Sequence, residues 1–112
     1  MVEDSADLRE VMKVILEGMG YGVLIANDGL EAIEVAQRER PDAILMDMCL
    51  PMMDGFETTL RLRQLPELRG IKVIACSAEN YWEWRAKAIA AGCDAFMAKP
   101  VNFIELQSIL AR

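Results

Sequence analysis

The sequence predicts an α/β domain with a parallel sheet covered by helices on both faces. Three observations carry this. Short, continuous apolar runs alternate with segments of helical period. Most helical segments begin at a capping signal. The 112 residues leave room for one domain. The apolar runs are Gly22–Ala26, Ala43–Met46, Lys72–Cys76 and Ala95–Ala98. They are continuous rather than alternating, which suits strands buried on both faces.

The helical segments follow in order. Leu8, Val11, Met12, Ile15, Leu16 and Met19 give one apolar stripe. Leu30, Ile33 and Ala36 form a second, and Phe56, Thr59, Leu60 and Arg63 a third. Trp82, Ala86, Ile89 and Ala90 make a fourth, and Phe103, Leu106 and Leu110 a fifth. Asp28, Asp54, Asn80 and Asn102 each precede a Glu by three residues, the spacing of a capping box. Gly18, Gly20 and Gly92 sit where helices should stop, and Pro41 and Pro66 fall in connections.

Composition excludes several functions. Hydrophobic residues make up 54% of the chain, enough to bury a core. Twelve basic residues against 18 acidic ones leave a net charge of −6, which argues against binding duplex DNA or an anionic membrane. The longest uncharged stretch, Gly18–Asn27, has ten residues, about half of what a spanning helix needs. No signal peptide is expected. Histidine is absent, which removes His-based acid–base catalysis and His metal ligands. Cys49, Cys76 and Cys93 are an odd count without a C-x-x-C pair. They read as small hydrophobes in a reducing cytosol, not as disulfides or a zinc site.

In a parallel α/β sheet the functional crevice lies beyond the carboxyl ends of the strands. Glu3 and Asp4 follow Val2, Asp47 closes the second run, Ser77 the third and Lys99 the fourth. Converging carboxylates repel one another, and a hard divalent cation removes that conflict. Mg2+ suits one or two direct carboxylates plus waters. Acidic cluster, cation, lysine and hydroxyl together describe a place that binds a phosphoryl group beside a nucleophilic carboxylate. Each residue also has a structural reading. Asp4 or Ser5 can cap the first helix, and Lys99 can be a solvated charge before a turn.

Read together, the motifs resemble receiver domains of two-component response regulators. They are Val-Glu-Asp-Ser at 2–5, Ala-Asn-Asp-Gly-Leu-Glu-Ala at 26–32, the run from Pro41 through Asp47 to Gly55, Ser-Ala at 77–78, and the run from Ala91 to Lys99-Pro100. The resemblance covers essentially the whole chain. It implies a flavodoxin-like, doubly wound sheet of five strands in the order 2-1-3-4-5 with five helices. It also implies that Asp47 accepts a phosphoryl group from a histidine kinase phosphohistidine. Glu3, Asp4, Asp47 and the backbone carbonyl of Cys49 would hold Mg2+ or Mn2+, Ser77 would bond the phosphoryl oxygen, and Lys99 would pair with it. A cis peptide at Lys99–Pro100 is a further implication. The expected partners are a sensor kinase or a histidine phosphotransfer protein, in the cytoplasm, with no nucleic acid or membrane.

Other positions stay open. Phe96 stands where relatives carry a switching aromatic, and reads equally as a core residue. Cys49 and Glu79 lie two residues beyond Asp47 and Ser77, where family members vary. Trp82 fits the fourth stripe, whereas Tyr81 and Trp84 fall to one side. That pair reads either as an output-partner surface or as a cover over the sheet edge. Two rival functions remain: a phosphorylation-independent interaction module, and an Asp-nucleophile phosphohydrolase, which usually shows Asp-x-Asp where this chain has Cys49. Residues 1–112 read as one receiver domain truncated at its first strand, since only Met1 and Val2 precede the acidic pair. The burial that a full inner strand supplies is comparable with the whole stability of a typical domain. We therefore expect a marginal monomer, or pairing through open sheet edges, and a natural start a few residues upstream.

Overall fold

Three of the predicted apolar runs pair their backbones in a parallel ladder. β1 (Ala43–Asp47), β2 (Lys72–Ser77) and β3 (Ala95–Ala98) lie side by side in that order, with Ala43 opposite Lys72 and Ile74 opposite Ala95. The computed structural model describes residues 1–3, 5–50, 53–78 and 81–112, the side chain of Tyr81 excepted. Met46, Val73, Ile74 and Ala75 are sealed from solvent, as strands covered on both faces must be. On one face, α2 (Gly29–Glu39), α3 (Gly55–Gln64) and α4 (Tyr81–Ala91) bury Ala32, Leu62 and Ala88 with Phe96. On the other, α1 (Ala6–Gly18) and α5 (Phe103–Leu110) bury Leu16 and Leu106 with Leu45 and Met97. No helix among the described residues is long and apolar enough to cross a membrane.

The helix starts follow the predicted caps. Asp28 and Asp54 accept from the amides of Glu31 and Glu57, each at 2.9 Å. Asn102 accepts from Ile104 and Glu105 at 3.0 Å, and Ser5 caps α1 by accepting from Leu8. Asn80, the fourth expected cap, lies outside the described residues. Gly92 ends α4 at φ +112°, a conformation that disfavours any side chain. The expected cis peptide at Lys99–Pro100 is present.

The first two strands are reduced to a remnant that keeps the expected order. Val2 bridges Ala26 on one side and Met46 on the other, both parallel. Among the described residues the predicted strand Gly22–Ala26 therefore forms no ladder beyond the bridge at Ala26. Its neighbour in the sheet is only the segment 1–3, which exchanges Met1 N–H to Leu24 O, Ala26 N–H to Met1 O and Glu3 N–H to Ala26 O. Beyond Met1 a cavity of about 570 Å³ opens between this segment and β1, lined by Val23, Ile25, Ala36, Ile44 and Leu106. Burial pushes the Met1 ammonium down to about 6, the buried Cys76 acting weakly in the other direction.

Two helix faces differ from expectation. In α1 only Met12 and Leu16 of the stripe are fully buried, while Leu8, Val11 and Ile15 are exposed. In α4 the inner face is Trp84, Ala88 and Ala91, and Trp82 is 80% exposed. Small alanines let α4 approach the sheet closely, and the register follows them rather than the larger Trp82. Arg63, predicted on an apolar stripe, instead donates to the carbonyls of Arg69, Ile71 and Gly92 and to Asp94. Its head thereby ties two connections together, 69–71 before β2 and 92–94 before β3. Cys76 and Cys93 are buried as expected, but Cys49 is exposed. It sits on the turn after β1, beyond the reach of the core.

The cavity yields a stability prediction. Five apolar, β-branched residues added ahead of Met1 should fill it as a parallel strand and raise Tm by more than about 5 °C. Amides of residues 22–26 should also gain protection from hydrogen exchange. A Gly/Ser extension of equal length should do neither, and equal effects from both extensions would count against a strand-accepting groove.

Candidate functional site

Four of the predicted site residues, Glu3, Asp47, Ser77 and Lys99, end or directly follow a strand or its remnant, and the parallel sheet brings those ends to one edge. Glu3 follows the Val2 bridge, Asp47 closes β1, Ser77 closes β2, and Lys99 follows β3. Glu3, Asp47 and Ser77 are 4%, 5% and 2% exposed. Lys99 Nζ donates to Glu3 Oε1 at 3.0 Å and to Asp47 Oδ2 at 2.8 Å. The second oxygen of each carboxylate is also bonded. Cys49 N–H donates to Asp47 Oδ1 at 3.0 Å, and Ser5 N–H donates to Glu3 Oε2 at 3.3 Å. Backbone bonds hold the frame: Lys99 N–H to Ser77 O at 2.9 Å, and Met48 N–H to Cys76 O at 3.0 Å.

The electrostatics follow from burial. Burial raises the Glu3 carboxyl above its ordinary range, against the lowering effect of bonds from Lys99 and Ser5, with nearby Asp47 adding to the rise. Burial by itself would lower the Lys99 ammonium, but its bonds to Asp47 and Glu3 outweigh that and raise it. Lys99 is therefore a fixed positive charge at any ordinary pH. One ammonium touches both carboxylates, so one small cation can touch both as well. The donors are hard oxygens, the set that Mg2+ prefers. Asp4 and Glu79 lie outside the described residues.

Helix α3 presses on this edge from the side. A Cβ on Gly55 would fall 2.8 Å from the Asp47 carbonyl oxygen and 2.9 Å from Met48 Cα, so only glycine allows the approach. The next residue, Phe56, meets Trp84 edge-to-face at 5.5 Å, and Lys87 Nζ stands 4.3 Å over its ring. Trp84 thus packs inward rather than on an exposed surface, and the side chain of Tyr81 lies outside the described residues. Among the described side chains of α4, the exposed aromatic is Trp82. Phe96 is buried in the same cluster as Phe56 and Ala88.

The model of the response regulator receiver domain matches residues 1–111, and the chain belongs to that family. Response regulator MprA of Mycobacterium leprae is 34% identical over 111 residues, covering 99% of this chain and 46% of MprA. The chain thus spans less than half of that relative. The polar-differentiation response regulator DivK of Brucella anthropi is 37% identical over 108 residues, 94% of this chain and 88% of DivK. The receiver domain of sensor histidine kinase PA1611 from Pseudomonas aeruginosa PAO1 superposes with a TM-score of 0.90 at 38% identity. The match covers 99% of this chain and 91% of that one, and the PA1611 structure has a magnesium ion coordinated in its active-site cleft.

The Lys99 bridge sets a pH-dependent expectation. Lys99→Met leaves two buried carboxylates facing each other, which should cost about 3 kcal/mol at neutral pH. Acidification protonates Glu3, whose carboxyl burial already raises, so the deficit should shrink as pH falls through the carboxylate range. Urea melts of the two proteins across pH provide the check. A deficit that stays constant with pH would show that Lys99 acts by packing alone.

Proposed function

We propose that this receiver domain takes a phosphoryl group from the phosphohistidine of a sensor kinase, or of a histidine phosphotransfer protein, onto Asp47. The observation that carries this reading is the pairing of Lys99 with both Glu3 and Asp47 at the strand ends. The phosphohistidine N–P bond breaks as an Asp47 carboxylate oxygen bonds to phosphorus, and the imidazole leaves. Glu3, Asp4, Asp47 and the Cys49 carbonyl would hold one Mg2+ or Mn2+, which supplies charge neutralisation for the phosphoryl oxygens. The magnesium ion in the related PA1611 cleft supports that assignment.

The chain's own groups do the rest. Cys49 N–H keeps Asp47 oriented through Oδ1. Lys99, already bonded to Asp47, turns its charge to the phosphoryl oxygens, and the Ser77 hydroxyl donates to one of them. The domain modifies itself and loses the acyl phosphate slowly by hydrolysis, so it is a switch and not a turnover enzyme. We place it in the cytoplasm, beside its kinase. The output surface we assign to α4 and β3, with exposed Trp82 rather than the inward-packed Trp84 as an aromatic anchor.

Two outcomes test this. With a small acyl-phosphate donor and Mg2+, intact mass should rise by one phosphoryl group, and Asp47→Asn should abolish the gain. Label persisting in that variant, or appearing without a divalent cation, overturns the assignment. Second, Ser77→Ala should still accept the phosphoryl group but lose most of the accompanying change in tryptophan fluorescence. Trp84 packs on Phe56, one residue from the Gly55–Asp47 contact, so it is placed to report it. An Ala variant with the wild-type fluorescence change contradicts a coupling role for Ser77 and, through it, for Phe96.

A further inference from the structure

Helix α1 reaches back to the acidic segment through one side chain. Arg9 Nη1 donates to the Glu3 carbonyl oxygen at 3.0 Å. With that bond every polar atom of Glu3 is fastened. Its N–H donates to Ala26 O at 3.1 Å, Oε2 accepts from Ser5 N–H, and Oε1 accepts from Lys99. The carbonyl is the atom that fixes the peptide leading from Glu3 into Asp4, and Arg9 holds it from half-buried surroundings.

We propose that Arg9 is a positioning residue for the cation site, holding the Glu3 peptide so that the Glu3 carboxylate faces Asp47. This rests on the functional reading above. Two properties of Arg9 pull in opposite directions, which makes the proposal separable from a simple charge effect. As a positive charge beside the acidic cluster, Arg9 repels a divalent cation. As a clamp, it keeps a ligand in place before the cation arrives, the role that supporting groups around metal ligands play. Loss of charge alone tightens cation binding, whereas loss of the clamp weakens it.

The test is calorimetric titration of the full chain with Mg2+, alongside thermal melts without metal. Arg9→Met should bind Mg2+ about 10-fold more weakly than wild type, with phosphoryl incorporation recovering at high Mg2+. Lys13→Met removes a positive charge from the same helix, where Lys13 pairs with Glu17, and should bind Mg2+ as wild type does or slightly more tightly. Should Arg9→Met melt too low to titrate, Arg9→Lys keeps the charge without the guanidinium fork and should show a smaller loss in the same direction. Mg2+ binding by either Arg9 variant equal to or tighter than wild type overturns the proposal. Absence of Mg2+ binding in the wild type overturns the functional reading and this proposal with it, so the two failures are distinguishable.

Discussion

The ammonium of Lys99, shared between two buried carboxylates, is the interaction on which the rest of the site depends. Glu3 and Asp47 are nearly sealed from water, and two anions in that position repel unless a cation lies between them. Lys99 meets the need at 3.0 and 2.8 Å. A bridge of this kind adds little net stability over an apolar substitute, because desolvation consumes most of the Coulombic gain. What it provides is a defined arrangement of charge whose cation can be rebalanced when another enters.

The scaffold explains why these groups meet. Parallel strands end on one edge, so side chains closing separate apolar runs converge without any motif being local. Register sets their spacing: Asp47 lies opposite Cys76, and Ser77 opposite Ala98. Val2 places Glu3 on the same edge by bridging Ala26 and Met46. Gly55 then lets α3 close against the Asp47 carbonyl, and Phe56 carries that contact to Trp84 of α4. The path from Asp47 to the inner face of α4 is therefore continuous packing, and any change at Asp47 has a solid neighbour to press on.

Much of this was legible in the sequence, for reasons that also mark where legibility stops. Asp47, Ser77 and Lys99 stand out because each polar residue closes a run that must be buried, and polarity at such a point needs a partner. Asp28, Asp54 and Asn102 were readable because capping is decided within four residues. The face of α4 was not. Periodicity weighs large apolar side chains, whereas close approach to the sheet selects the small Ala88 and Ala91 and turns Trp82 outward. The run 22–26 has strand composition, yet a strand exists only with a paired neighbour, and among the described residues it is bridged only at Ala26, by Val2. Arg9 carried no local signal, and the periodicity that put Arg63 on an apolar stripe pointed away from its role. Their roles depend on carbonyls brought to them by the tertiary fold, from Glu3 in one case and from Ile71 and Gly92 in the other.

The most direct measurement follows the Lys99 side-chain nitrogen by NMR while Mg2+ is added to the full chain. Lys99 should give a slowly exchanging ammonium signal without metal, since it donates to two nearly sealed carboxylates. Mg2+ should shift that signal in a single saturable step, and Asp47→Asn should remove the step. A Lys99 signal that behaves as a freely solvated ammonium, or that ignores saturating Mg2+, would contradict the account at its centre.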